Sequence, residues 1–325
     1  MTHRLSPAQV KFFSDEGYLI VKDVFASGEL EPLRRELEER INGKAQELFA
    51  EGKLKNLHAG EPFDRRLARI CDDSPENAHA IIRMLEGVAG GGHAGIEMFK
   101  VITHPNLLNV IESLTGEEIV ASSVYRVRPK LPRYARGVVP WHQDSGYFAA
   151  LCDKHLIVTC WIPLIEATEH NGCMRIQPRA HKQGVATHHT GGHGGFLVIE
   201  DEDLPFPAEN SICAECPLGG VVLMTNLTPH CSTTNYSEDI RWSIDLRYQS
   251  ASVPNNVNLL PDLDNLSQPA DLQIACYPPE ADFVVRSRKD PVTSFDEYRQ
   301  RRGAYDRAAR QIGYPKRGWT PVAAK

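Results

Sequence analysis

No stretch of the 325 residues approaches twenty consecutive apolar side chains, so the sequence predicts no membrane-spanning helix. The N-terminus, MTHRLSPAQVKFF, lacks the apolar run of a signal peptide. Basic residues are not in excess: the net charge is −6, which argues against a nucleic-acid partner. Eight cysteines fall without regular spacing, and the C-x-x-C at Cys213 and Cys216 has no second pair, so no disulfide framework is expected. Internal repeats and composition-biased linkers are missing as well, and one continuous domain over residues 1–325 is expected. Together these absences predict a soluble cytoplasmic protein, with 42% hydrophobic residues to fill a core.

The order of elements follows from local signals. Ser6-Pro7 reads as an N-cap and first turn of a helix that runs to about Glu16 and stops at Gly17. Tyr18 to Val21 reads as a strand. Leu30, Leu33, Leu37, Ile41, Ala45 and Leu48 recur at three- and four-residue steps, the stripe of an amphipathic helix. Ser74-Pro75 opens a helix through Leu85, the run from Gly87 to Gly95 is a loop, and Asn106 to Leu114 is a helix ended by Gly116.

From Ile119 the pattern turns to short β-rich runs. The expected strands are 119–127, 138–142, 157–165, 173–177, 196–199, 220–225 and 242–248. Successive short strands with few helices between them favour a sandwich or jelly roll over a parallel βαβ sheet. The His- and Gly-rich stretch at 182–211 reads as an insertion that covers part of the barrel mouth. Residues 251–290 are proline-rich and irregular, and Ser294 to Arg310 is a charged helix.

Two distant stretches carry chemistry. In Trp141-His142-Gln143-Asp144 the imidazole and carboxylate are two residues apart, which on a strand turns both to one face. The run HCSTTNYSEDIR, from His230 to Arg241, supplies a further imidazole and a guanidinium. Two histidines and one carboxylate form the ligand set of non-haem Fe(II) oxygenases, which leaves coordination positions open.

The H-x-D pair, the distal histidine and the pattern H-x-S-x-x-N-x-S-x-x-x-R resemble the phytanoyl-CoA dioxygenase family. His230, Ser232, Asn235, Ser237 and Arg241 all fall on that pattern, and WIPLIEATEHNGCMRIQPRAH (161–181) resembles the family's central segment. The resemblance spans roughly residues 10 to 250. It implies a mainly β fold with flanking helices, the double-stranded β-helix or cupin-like jelly roll. On this reading residues 1–117 are a helical buttress, about 118–250 the jelly-roll core and 251–325 a C-terminal extension. Fe(II) is then held by His142, Asp144 and His230, and 2-oxoglutarate and O₂ take the open positions. Arg241 binds the cosubstrate's far carboxylate, Ser232 donates to it, and Trp161 borders the pocket. The reaction implied is hydroxylation of a small molecule, with 2-oxoglutarate decarboxylated to succinate and CO₂. A carboxylate at Asp144 argues for oxygenation over halogenation, which in related enzymes needs a small residue there. Two other readings stay open, a non-catalytic jelly-roll binder and a cupin-type metalloenzyme without 2-oxoglutarate.

Further expectations concern the surroundings. Gln143 points away from the metal face. His188, His189 and His193 read as loop histidines. Pro178-Arg179-Ala180-His181 stands where many relatives have Pro-Gly-Ser-His, and Arg179 is a candidate for the substrate side. The C-terminus, PVAAK, carries no peroxisomal tripeptide, in keeping with a cytoplasmic protein. Between Ile119 and Gln143 no acidic residue occurs, against Arg126, Arg128, Lys130, Arg133 and Arg136. That strip fits either an anionic substrate or a solvated sheet edge.

Overall fold

The computed structural model describes residues 3–86, 93–134, 137–255, 257, 282–312 (side chains to 304) and 317–322. The Gly87–Gly95 loop, Arg136, most of the 251–290 segment and the PVAAK terminus therefore lie wholly or largely outside the described residues.

Six helices lead into the sheets: α1 (Pro7–Glu16), α2 (Glu31–Ala50), α3 (Phe63–Asp73), α4 (Pro75–Glu86), α5 (Ile96–Ile102) and α6 (Pro105–Thr115). The Ser6 hydroxyl accepts from Gln9 N while the Gln9 side chain accepts from Ser6 N, and Gly17 ends α1 at φ 81. The expected leucine stripe is the buried face of α2: Leu33, Leu37, Ile41, Ala45 and Leu48. Strand β1 (Tyr18–Val21) links α1 to the main sheet.

The strands that follow are β2 (Ile119–Ala121), β3 (Arg126–Lys130), β4 (Ile157–Pro163), β5 (Met174–Ile176), β6 (His189–Thr190), β7 (Ile212–Ala214), β8 (Val221–Thr225), β9 (His230–Ser232), β10 (Arg241–Ser250), β11 (Phe283–Arg286) and β12 (Thr320–Pro321), with α7 (Phe295–Ile312) before the last. One antiparallel sheet of seven strands runs β1-β8-β4-β10-β2-β11, with β3 also on β10. A smaller antiparallel sheet, β7-β5-β9, and the parallel pair β12-β6 complete the β structure. The mainly β architecture with flanking helices agrees with the expected fold class.

The two faces of the large sheet have opposite characters because side chains alternate along each strand. On β10, Trp242, Ile244, Leu246 and Tyr248 join Val158, Cys160 and Ile162 of β4 in the apolar core with the helices. Arg241, Asp245 and Arg247 of β10, with Thr159 and Trp161 of β4, turn instead into a cavity of about 340 Å³. His230, Ser232 and Met174 line the same cavity, so it lies between the two sheets.

Several strand expectations are corrected. The expected strand 119–127 is broken, because residues 122–125 lie outside both strands and Ser122 Oγ turns back to cap Val124 N at 2.9 Å. Residues 138–142 form no strand: only His142 pairs, as an isolated bridge to His230. Residues 196–199 likewise contribute a single bridge, His189 to Val198. Both runs do bond neighbours, Val139 O accepting from Ser232 N at 3.0 Å and Ile199 N donating to Trp141 O at 2.7 Å, but these bonds do not extend the bridges into a ladder, so propensity alone does not make them strands.

Candidate metal centre

The ladder that joins His142 to His230 is also what aligns the site. His142 N donates to His230 O at 3.0 Å, and His230 N donates to His142 O at 2.9 Å. This doubly bonded pair sets the two rings side by side, with centroids 4.2 Å apart. Gln143 is extended (φ −113, ψ 145), so Asp144, first residue of a short 3-10 turn, returns to the His142 side without a regular strand. Ligand atoms of His142, Asp144 and His230 all lie within 4.8 Å of one another, and all three residues are buried.

The nitrogen available for coordination is fixed on each ring. His142 Nδ1 bonds Pro140 O and His230 Nδ1 bonds Thr228 O, both at 2.9 Å. A carbonyl only accepts, so both Nδ1 atoms carry the proton and both Nε2 lone pairs are free. Burial, and for His142 the neighbouring His230, lowers the pKa of both rings, which keeps them neutral as a metal requires. Burial alone would raise the Asp144 pKa, but Arg247 overcomes it and holds the carboxylate ionised. Arg247 grips it with a fork, Nε to Oδ2 at 3.0 Å and Nη2 to Oδ1 at 3.1 Å. Thr159, opposite Arg247 in the β4–β10 register, donates its hydroxyl to the same Oδ2. Two neutral imidazoles and one oriented carboxylate fit a divalent iron, and the cavity leaves their outward side open.

At the other end of the cavity lies a buried cationic pocket. Arg241 is 3% exposed; its Nη1 donates to Ser243 Oγ, its Nη2 reaches Gly172 O at 3.3 Å, and its Nε has no partner. The guanidinium lies over the Trp161 ring, 5.0 Å from the centroid. Burial and then Arg128 lower its pKa to about 9, so it remains charged at neutral pH. Lys130, the residue paired with Arg241 across the β3–β10 ladder, is 4% exposed. Its Nζ donates to Gly137 O at 3.0 Å and to Ser232 Oγ at 2.8 Å. Burial, then Arg241 and Arg128, bring the Lys130 pKa down to about 7. No described carboxylate forms an ion pair with either residue. Two buried cations without an anion make a receptor for one.

The structure therefore brings together every residue expected at the site: His142, Asp144, His230, Arg241, Ser232 and Trp161 all line one cavity. Ser232 accepts from Lys130 Nζ and from Val139 N at 2.9 Å, which leaves its own proton to donate. Thr159 and Arg247 are not singled out by the sequence, and Lys130 is read there only as part of the basic strip. The i, i+2 spacing of Arg241, Ser243, Asp245 and Arg247 on one expected strand was the available signal.

Neighbouring expectations divide. Gln143 points away from the metal face and is fully engaged: Nε2 donates to Gly184 O at 2.8 Å and Leu227 O at 2.6 Å, and Oε1 accepts from Ala186 N at 2.8 Å. His188 accepts from Gln143 N at 3.0 Å and braces this turn. Residues 317–322 clasp the same turn: Arg317 forks Asp153 and reaches Ser145 O at 2.8 Å, and Trp319 donates to Gly146 O at 2.9 Å. Arg179 does not reach the cavity. It sits at φ 66, a left-handed backbone that glycine adopts more readily, with its side chain 67% exposed beside Glu16.

The basic strip also resolves into partners. Arg128 bonds Asp245 at 2.7 Å, Arg133 bonds Glu238 at 2.6 Å, and Lys130 belongs to the inner pocket. As a free surface for anionic substrates the strip is not supported. Among the described residues no helix is long and apolar enough to cross a membrane.

Comparison with known proteins gives the family of the chain. The profile of the phytanoyl-CoA dioxygenase (PhyH) family matches residues 13–243. A phytanoyl-CoA dioxygenase of Arabidopsis thaliana is 22% identical over 80% of this chain and 99% of its own length. The peroxisomal phytanoyl-CoA dioxygenase of Homo sapiens is 23% identical over 76% of this chain and 69% of its own. The 1-deoxypentalenic acid 11-beta-hydroxylase of Streptomyces arenae is 29% identical over 61% and 78%. Among solved structures, the non-heme monooxygenase ThoJ superposes with a TM-score of 0.55 at 14% identity, over 94% of this chain and 98% of its own. The epimerase SnoN, solved with Fe³⁺, alpha ketoglutarate and nogalamycin RO, gives 0.51 at 17% identity, over 86% and 100%.

Proposed function

Because the chain belongs to the phytanoyl-CoA dioxygenase family of Fe(II)- and 2-oxoglutarate-dependent oxygenases, we propose that it hydroxylates a carbon of a small molecule bound in the cavity between its sheets. In this reading His142, Asp144 and His230 hold the iron, and Arg241, Lys130 and Ser232 hold the far carboxylate of 2-oxoglutarate. The observation that carries it is the pairing, in one cavity, of a metal-competent triad with a buried cationic pocket that has no anion of its own.

The bound iron and cosubstrate supply the oxidising chemistry. One atom of O₂ enters the new hydroxyl and the other enters succinate. Two electrons come from the C–H bond and two from the decarboxylation. The protein's part is placement. Arg241 offers a planar fork that matches a carboxylate, and its contact with Trp161 fixes the plane of that fork. Lys130, from the neighbouring strand β3, and the Ser232 proton, from β9 of the smaller sheet, add two further donors. Arg247 and Thr159 keep Asp144 from rotating, so the carboxylate meets the metal in one orientation. Apolar residues, among them Met174, Met224, Ile82 and Phe196, line the cavity and limit water near the reacting carbon.

A direct test is anaerobic addition of Fe(II) and 2-oxoglutarate, which should produce the weak visible charge-transfer band of a chelated keto acid. His142→Ala should abolish the band. Succinate release should require iron, 2-oxoglutarate and O₂ together. Iron-loaded protein that gives neither band nor succinate would refute this reading.

A further inference from the structure

Helix α4 forms one wall of the cavity, and it does so with a single face. His79, Ile82, Arg83 and Glu86, at steps of three, one and three residues, all line the cavity, while Ala78, Ile81 and Leu85 are buried in the helix itself. Glu86 is unusual in three ways. It is partly buried, and burial raises its pKa while Arg128 and Arg126 act against that shift. It has no hydrogen-bond or ion-pair partner among the described residues, and Arg128 is already committed to Asp245 at 2.7 Å. It is also the last residue of α4, where the helix dipole disfavours a carboxylate. The other carboxylates of the cavity, Asp144 and Asp245, are both held by arginines.

A carboxylate that opposes burial and helix polarity, and that no side chain bonds, makes sense where a ligand completes it. We propose that Glu86 is the substrate-recognition carboxylate of the cavity, and that the substrate is a compact, mostly apolar molecule bearing a hydroxyl or ammonium group that donates to it. The inference rests on the cavity being the substrate site of the oxygenase described above. Ile82, Leu131 and Phe196 on the same walls supply contacts for the apolar body. A donor delivered to Glu86 satisfies the carboxylate that the free protein leaves unpaired, so recognition draws on a cost already present in the fold.

The test needs no turnover, so it is independent of the oxygenase chemistry. Cyclohexylmethanol, cyclohexylmethylamine, cyclohexanecarboxylate and ethylcyclohexane would be titrated into metal-free protein by calorimetry or ligand-observed NMR, with wild type, Glu86→Gln and Glu86→Leu. Wild type should favour the alcohol or the amine over ethylcyclohexane by about tenfold or more, the value of one bond to a charged group. A preference for the amine that Glu86→Gln erases assigns an ammonium group. A preference for the alcohol that survives in Glu86→Gln and is lost in Glu86→Leu assigns a hydroxyl. Both variants should also raise the thermal midpoint of the free protein, since neither removes an internal bond. A ranking unchanged by Glu86→Leu, with binding of no member counted as such, or a midpoint lowered in both variants, overturns the proposal.

Discussion

Lys130 makes cosubstrate binding depend on pH in a direction that can be worked out beforehand. In the free protein its pKa is about 7, because burial and the neighbouring guanidiniums disfavour the ammonium. A carboxylate placed against it favours the ammonium and moves the pKa up. Below pH 7 the lysine is already charged and binding needs no proton. Above pH 7 each binding event takes one up, so affinity for 2-oxoglutarate should fall as pH rises. The limiting slope is about tenfold per pH unit, equivalent to roughly 1.4 kcal/mol. From well below pH 7, where the lysine is fully charged, to about pH 8.5 the dissociation constant should therefore rise by up to roughly thirtyfold. Titration calorimetry with Fe(II) under argon, repeated in buffers of different ionisation enthalpy, measures both the affinity and the proton. Lys130→Met should bind weakly at low pH, show a flat profile and take up no proton, so that the two curves converge toward alkaline pH. Wild-type affinity that stays constant over this range, or a decline that persists unchanged in Lys130→Met, refutes the reasoning.

Two further outcomes follow from the same contacts. His142→Ala and Asp144→Ala should both lose iron-dependent turnover, but only the second should unfold easily. It removes from the buried Arg247 the carboxylate that it forks, at a cost of about 3 kcal/mol in urea denaturation; equal midpoints for the two variants would contradict this. Gly172→Ala should weaken both stability and 2-oxoglutarate binding. At φ 82 a side chain costs about 1–2 kcal/mol, and its Cβ would fall 2.6 Å from Lys130 Cε and 2.8 Å from Thr233 O. Wild-type values in both measurements would count against the account of the inner pocket.

The parts of the site legible in the sequence are those written along the chain. His142 and Asp144 are two residues apart, and Ser232 and Arg241 stand at fixed steps from His230. What stayed hidden depends on pairings between distant strands. Arg128 reads as a free cation until β3 lies beside β10 and Asp245, 117 positions on, neutralises it. Lys130 reads as part of the same strip until the ladder sets it opposite Arg241. Arg247 has no motif of its own, and its role exists only because Asp144 returns beneath β10. Among the helices, α3 escaped notice because FDRRLARICDD is mostly charged and one of its buried residues is Arg66, bonded to Leu57 O and Asn42. The expected strand at 138–142 failed for the opposite reason: its residues suit a strand, but only His142 forms a bridge, while Val139 and Trp141 bond two different segments.

The clasp from Arg317 and Trp319 has a bearing on how the protein is made. Those residues bond the turn after Asp144 across sequence separations of up to 173 positions. During synthesis that turn emerges long before its fastener does. Until then, Ser145 and Gly146 carbonyls that will accept from Arg317 and Trp319 must be satisfied by water. In a chain that ends before its fastener, the turn after Asp144 keeps only its earlier contacts, among them His188 on Gln143 N and Asn226 on the Ser145 hydroxyl.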